Sequence, residues 1–128
     1  MTNPALDRRR VLLRAVPSVA WAGVIFYLSS LPGSSVPGRY AVQGHLGEYA
    51  ILGVLVLLAL TGSGPAGRAA LIALIACSFY GISDEFHQSF VPGRTPDVLD
   101  WVADTVGATV GVSAGLAWLR WRALSKKR

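Results

Sequence analysis

The sequence predicts an all-α polytopic membrane protein, a bundle of four transmembrane helices. Hydrophobic residues make up 52% of its 128 residues and charged residues 15%, whereas about a quarter of a typical soluble domain is charged. Four long apolar segments follow one another, separated by short stretches rich in Gly, Pro and Ser. Segments of this length and composition are typical of membrane-spanning helices.

The four apolar segments predict the domain organisation of the chain. We predict them at about residues 11–31, 45–61, 69–89 and 98–121. The second is close to the shortest length that spans a bilayer at about 1.5 Å per residue. One four-helix membrane domain is therefore expected over residues 11–121, with a basic leader at 1–10 and a basic tail at 122–128.

The fourth segment carries a pattern of small residues. They recur at every fourth position, at Ala103, Gly107, Gly111 and Gly115. Such a ridge lets a neighbouring helix approach closely, within the bundle or in a homo-oligomer. Asp100 and Asp104 lead into the ridge, so we expect both acids to face the bundle rather than lipid.

The basic residues predict the orientation. The chain has a net charge of +5, but ten of its cations lie at the end of the bundle that holds both termini. These are Arg8, Arg9, Arg10, Arg14, Arg68, Arg120, Arg122, Lys126, Lys127 and Arg128. Only Arg39 and Arg94 lie at the opposite end. This bias predicts cytoplasmic termini and argues against nucleic acid as a partner. Cys77 lies in an apolar run and is expected to pack in the core.

Polar residues concentrate where the second segment begins, the third ends and the fourth begins. Five of the seven acids lie between Tyr80 and Asp104. The predicted topology brings these segment ends together at the outer leaflet. Ionisable groups are costly in a membrane and are therefore candidates for function. The candidate site residues are His45, Glu48, Tyr49, Asp84, Glu85, His87, Gln88, Arg94, Asp100 and Asp104.

Binding and catalysis are two interpretations of this set. Arg94, with Arg39, can grip a phosphate or carboxylate, while Asp and Gln side chains bind hydroxyls or amines. The candidate ligand-binding residues are His45, Tyr49, Glu85, Gln88, Arg94, Asp100 and Asp104. In an enzyme, an acid–base pair would come from Glu48, Asp84 and His87. Candidate ligands for a divalent metal are His45, Glu48, Asp84 and His87, although no established metal motif requires a cofactor.

A third interpretation is purely structural. The polar residues can satisfy one another, as buried polar groups generally do. Arg94 would then pair with Asp84 or Asp100, and His45 with Glu48 or an acid on a facing helix. The residues alone leave open whether the chain is an enzyme.

Two blocks of residues resemble a known family. The first is His45-Leu46-Gly47-Glu48-Tyr49, followed by Leu52. The second runs from Ser83-Asp84-Glu85-Phe86-His87-Gln88 through Val91-Pro92-Gly93-Arg94 to Asp100, Asp104 and Gly107. Together they resemble the VanZ-like family of small bacterial integral membrane proteins, named for a protein associated with teicoplanin resistance. One position departs from the family pattern: Val42 stands where relatives often carry a basic residue.

The resemblance implies a location and a class of ligand. It implies a multi-pass protein of the bacterial cell membrane. It also implies a site that recognises or modifies the headgroup of a cell-envelope lipid or a glycopeptide-related molecule. A metal- or acid/base-dependent hydrolase or transferase, and a purely structural bundle, remain the alternatives.

Overall fold

The computed structural model describes residues 4–35, 41–62 and 64–127. Within these ranges the chain forms four α-helices and one short 3-10 turn, Gly33–Ser35, and no strand. The helices are α1 (Pro4–Ser29), α2 (Ala41–Leu60), α3 (Ala66–Gln88) and α4 (Val98–Ser125). Each is long and apolar enough to cross a membrane, which confirms the predicted fold class.

The helices are longer than the apolar segments. Helix α1 begins at Pro4, so it includes Arg8, Arg9 and Arg10. Helix α2 begins at Ala41, and α4 continues to Ser125. Arginine is a good helix former, and its charge can lie in water beyond the apolar stretch. A hydropathy pattern locates the apolar part of a helix rather than its hydrogen-bonded ends.

The most extensive helix contact joins α2 and α4. Glycines on both helices allow it, because a Cβ on Gly53 would lie 2.7 Å from the Ala108 carbonyl oxygen. A Cβ on Gly111 would lie 2.7 Å from the carbonyl carbon of Ala50. Carbon atoms do not approach a backbone so closely, so neither position has room for a side chain. The predicted packing role of the small-residue ridge is confirmed.

Two apolar clusters fill the bundle. One contains Ile25, Tyr49, Leu52, Cys77 and Ala108. The other contains Leu57, Ala69, Ala70, Ala73 and Val112. Cys77 is 1% exposed, as expected of a packing residue. Large apolar side chains such as Leu12 and Phe79 remain exposed on the outside of the bundle, where lipid can cover them.

Alternating helix directions bring four helix ends together. The end of α1, the start of α2, the end of α3 and the start of α4 form what we call the polar end. Here the backbone N–H of Gly33 donates to the Pro92 carbonyl at 3.1 Å, joining the connections that follow α1 and α3. At the opposite end Arg14 donates to the Thr61 carbonyl at 2.7 Å. The start of α1 and the end of α4 also lie at that opposite end.

Candidate functional site

All ten sequence-predicted site residues lie at or near the polar end, on α2, α3, α4 and the connection that precedes α4. Their partners differ, and the structure divides them into three groups. The first is paired across helices, the second is bonded to backbone, and the third has no partner among the described residues.

His45 and Asp104 form the central pair. Nδ1 of His45 lies 2.7 Å from Oδ1 of Asp104, a short hydrogen bond between α2 and α4. The two side chains are 7% and 0% exposed. Asp100, one turn earlier on α4, places Oδ2 3.8 Å from Nε2 of the same ring. His45 therefore bonds an acid on a facing helix, and no bond to Glu48 is present among the described residues.

Glu85 connects α3 to the start of α4. Its Oε2 accepts a hydrogen bond of 2.8 Å from the backbone N–H of Asp97. Asp97 in turn caps α4, because its Oδ1 accepts from the N–H of Leu99 at 2.8 Å. The other carboxylate oxygen of Glu85, Oε1, is buried and has no hydrogen-bond partner in the described part of the chain.

Arg94 has a backbone role that the sequence did not predict. Its Nε donates to the Leu31 carbonyl and its Nη2 to the Leu28 carbonyl, both at 3.2 Å. Carbonyls near the end of a helix lack the regular bonds of the helix interior, and a cationic side chain can donate to them; the Leu28 carbonyl also accepts from the N–H of Leu31 at 3.2 Å. Neither predicted ion pair, with Asp84 or with Asp100, is present in the described residues. These two bonds use two of the five guanidinium N–H groups, so both N–H groups of Nη1 and one of Nη2 can still donate to an anionic ligand.

His87 also contacts α1. Its Nε2 lies 2.9 Å from Oγ of Ser30, and its ring stacks on Phe26 with centroids 4.3 Å apart. Ser30 was not among the predicted site residues. The signal for it was available, because Ser29 and Ser30 end the first apolar segment at the same end of the bundle as His87.

The third group consists of side chains whose polar atoms lack a regular hydrogen-bond partner in the described part of the chain. Among the described residues, Glu48, Asp84 and Gln88 make no ion pair and no hydrogen bond of ordinary geometry, although the hydroxyl of Ser29 lies near the Asp84 carboxylate. Asp84 is 5% exposed and Gln88 3%, while Glu48 is half-buried. The hydroxyl of Tyr49, a residue with no exposed surface, also lacks a partner there. Buried polar groups are generally hydrogen-bonded, so these four identify where a ligand or water can bind.

One set of residues has the geometry of a metal site. Ligand atoms of His45, Glu85 and Asp104 all lie within 4.8 Å of one another, and no other such trio occurs among the described residues. Of the four predicted metal candidates, His45 belongs to this trio. Glu85 and Asp104 were predicted as ligand-binding residues instead. Arg39, proposed as a second cation of the site, lies outside the described residues.

A cleft between α3 and α4 leads to this region. Its volume is about 230 Å³, and its lining residues are Ile82, Glu85, Pro96, Asp97, Val98 and Trp101. Trp101 is fixed in the wall, since its Nε1 donates to the Ser78 carbonyl at 3.2 Å. The cleft is largely apolar, with the Glu85 carboxylate among its few polar groups.

A comparison with known proteins identifies one family. The family model described as VanZ/LLP1 matches residues 15–120. This range contains all four membrane-spanning segments in large part and every predicted site residue. No curated protein and no solved structure matches the chain.

Proposed function

The chain belongs to the VanZ/LLP1 family, and we propose that its polar end binds the headgroup of a cell-envelope lipid or a glycopeptide-related molecule. The observation that carries this proposal is the group of buried acceptors without partners, above all Asp84. A carboxylate at 5% exposure pays a desolvation cost that a hydrogen-bonded ligand offsets. The hydroxyl of Ser29 is near this carboxylate, but a carboxylate has about four acceptor sites, and a purely structural network would satisfy more of them from within the bundle.

The available groups favour a headgroup that donates hydrogen bonds. Glu48 and Asp84 are acceptors when ionised, and the Gln88 amide both donates and accepts. Asp84 lies within electrostatic range of Glu48, His45 and Arg94. Arg94 donates two of its five N–H groups to carbonyls, so its remaining N–H groups can also contact a phosphate or carboxylate. An amine- or hydroxyl-bearing headgroup is therefore the ligand class we propose.

The proposed orientation places the site where such headgroups lie. Basic residues flank the end of the bundle formed by the start of α1 and the end of α4, and those of these two helices, such as Arg8 and Arg120, are exposed. Under the positive-inside rule this end is cytoplasmic. The polar end then lies at the outer leaflet of a bacterial cell membrane, level with the headgroups of envelope lipids.

Two substitutions test the proposal, Asp84→Asn and Glu48→Gln. Both keep the shape of the side chain and remove its charge. Retention of phosphatidylethanolamine and phosphatidylglycerol by the purified protein would be measured by native mass spectrometry. A hydrogen bond to a charged group contributes about 1.5–3 kcal/mol, so we expect roughly 10- to 100-fold weaker retention of the amine-bearing or the hydroxyl-bearing lipid. Glycopeptide susceptibility of cells carrying each variant would be compared with wild type.

Thermal stability separates binding from scaffolding. Removing one member of a satisfied buried network costs on the order of 3–5 kcal/mol, whereas removing the charge of an unpaired carboxylate should leave stability unchanged or raised. Asp97→Asn is the matched control, because Asn also caps a helix and Asp97 is exposed. Equal lipid retention by wild type and both variants would contradict the proposal, as would a large loss of stability in the two variants.

A further inference from the structure

Two buried carboxylates face the His45 ring from different helices. Asp104 on α4 is 0% exposed and Glu85 on α3 is 9% exposed. Together with His45 they bring three ligand atoms within 4.8 Å of one another. Asp100 adds a third carboxylate, 3.8 Å from the ring. The described part of the chain supplies no Lys or Arg to pair with these acids, since the only ion pairs there involve His45.

Each of the two buried carboxylates also keeps one oxygen free. Oε1 of Glu85 and Oδ2 of Asp104 are inaccessible to solvent and have no hydrogen-bond partner among the described residues. Gly81 on α3 leaves the room that Oδ2 requires, because a Cβ at that position would lie 2.8 Å from it. Such unsatisfied buried oxygens are costly and are rare in native proteins.

We infer that His45, Glu85 and Asp104 bind a divalent cation. A cation between these residues would offset the excess of negative charge, and each carboxylate has one oxygen available to bind it. Metal–ligand bonds of about 2.0–2.2 Å place ligand atoms at most about 4.4 Å apart, so small rotations of the side chains complete the site. One imidazole and two carboxylates suit zinc or manganese better than the harder magnesium ion.

The local structure supports the two further requirements of a metal site. Asp104 already holds the imidazole in place through its bond to Nδ1, and a cation bound at Nδ1 would replace the proton of that bond. The cleft between α3 and α4, which includes Glu85 and Asp97 in its lining, offers an entry path for the ion.

This site is separate from the unpartnered headgroup-binding residues. Asp84 and Glu85 are consecutive on α3, so their side chains point about 100° apart around the helix. Glu85 contacts the start of α4, whereas Asp84 has no partner there. Metal binding and headgroup binding can therefore fail independently of one another.

The experiment measures binding of zinc alone. The purified full-length chain in detergent is stripped with a chelator, incubated with Zn²⁺ and desalted, and its metal content is determined by mass spectrometry. Affinity is obtained by titration calorimetry. We expect one zinc per chain in wild type and at least about 10- to 100-fold weaker binding in Glu85→Gln and Asp104→Asn. Zn²⁺ should also raise the melting temperature of wild type.

Two control variants make the result decisive. Asp97 lies beside Glu85 but is not one of the three proposed ligands. The Asp97→Asn variant should therefore bind zinc as the wild type does. Asp84→Asn should also retain zinc, even if it loses lipid. The inference would be overturned if the wild type retained no zinc after desalting, or if wild type and Glu85→Gln bound zinc with equal affinity. Glu85→Gln keeps this test valid if Asp104→Asn fails to fold, since a glutamine oxygen can still accept the bond from Asp97.

Discussion

Replacing Gly107 with alanine should increase the distance between α2 and α4 at the candidate site. A Cβ at this position would lie 3.0 Å from both the Cα and the carbonyl carbon of Leu46, and closer still to the carbonyl oxygen. Ordinary contacts of a Cβ begin near 3.4 Å. The obstruction is backbone and cannot rotate away, so the two helices must move apart by at least about 0.4 Å.

The same movement reaches the His45–Asp104 bond. Leu46 follows His45, and Gly107 lies one turn after Asp104, so a rigid displacement would lengthen the 2.7 Å bond to at least about 3.1 Å. This exceeds the range of about 2.7–2.9 Å that is typical of a charge-assisted hydrogen bond. Overpacking in a close-packed interior costs about 1–3 kcal/mol. The weakened hydrogen bond adds to that cost, so we expect a loss near the upper end of the range.

Equilibrium unfolding in detergent or bicelles would measure this loss. Gly23→Ala is the matched control, because Gly23 also lies inside a helix and a Cβ there meets nothing within 4 Å. That substitution should be neutral or stabilising by up to about 1 kcal/mol, reflecting helix propensity alone. If Gly107→Ala were as stable as Gly23→Ala, the close α2–α4 contact would not exist in the protein.

Two further predictions concern orientation and the role of Arg94. In a Cys77→Ala background, a membrane-impermeant maleimide should label Thr95→Cys in intact cells but Arg68→Cys only after permeabilisation; the reverse pattern would place the polar end in the cytoplasm. Arg94→Gln should lower the free energy of unfolding by about 1–3 kcal/mol, because two carbonyls at the end of α1 lose a charged donor. Wild-type stability of this variant in detergent would contradict the capping role.

Much of the fold followed from the sequence because a membrane restricts the choices. Backbone groups in lipid must be bonded within the segment, so a long apolar run becomes a helix. The small residues from Ala103 to Gly115 then identified the packed face of α4. The helix ends were less predictable, since hydropathy does not report where the hydrogen bonds of a helix stop. Helix α1 therefore begins at Pro4 although its apolar part begins near residue 11.

The site was less predictable, because residue types do not specify their partners. Topology indicated which helix ends meet, but the partner of His45 depends on which residue of α4 lies at its depth. The sequence likewise showed Arg94 among acids and suggested an ion pair. It could not show the carbonyls of Leu28 and Leu31, because every residue has a carbonyl and only the fold decides which ones the guanidinium reaches.

The close packing of α2 and α4 explains how the polar end can hold two different kinds of site. Where the glycines bring these helices together, His45 and Asp104 are buried and joined by a short hydrogen bond. Glu48 lies on α2 and Asp84 on the adjacent α3, and neither carboxylate forms an ion pair among the described residues. A rigid pair beside unpaired acceptors is the arrangement a binding site needs, because the fixed groups hold the geometry while the unpaired groups still have hydrogen-bonding capacity for a ligand.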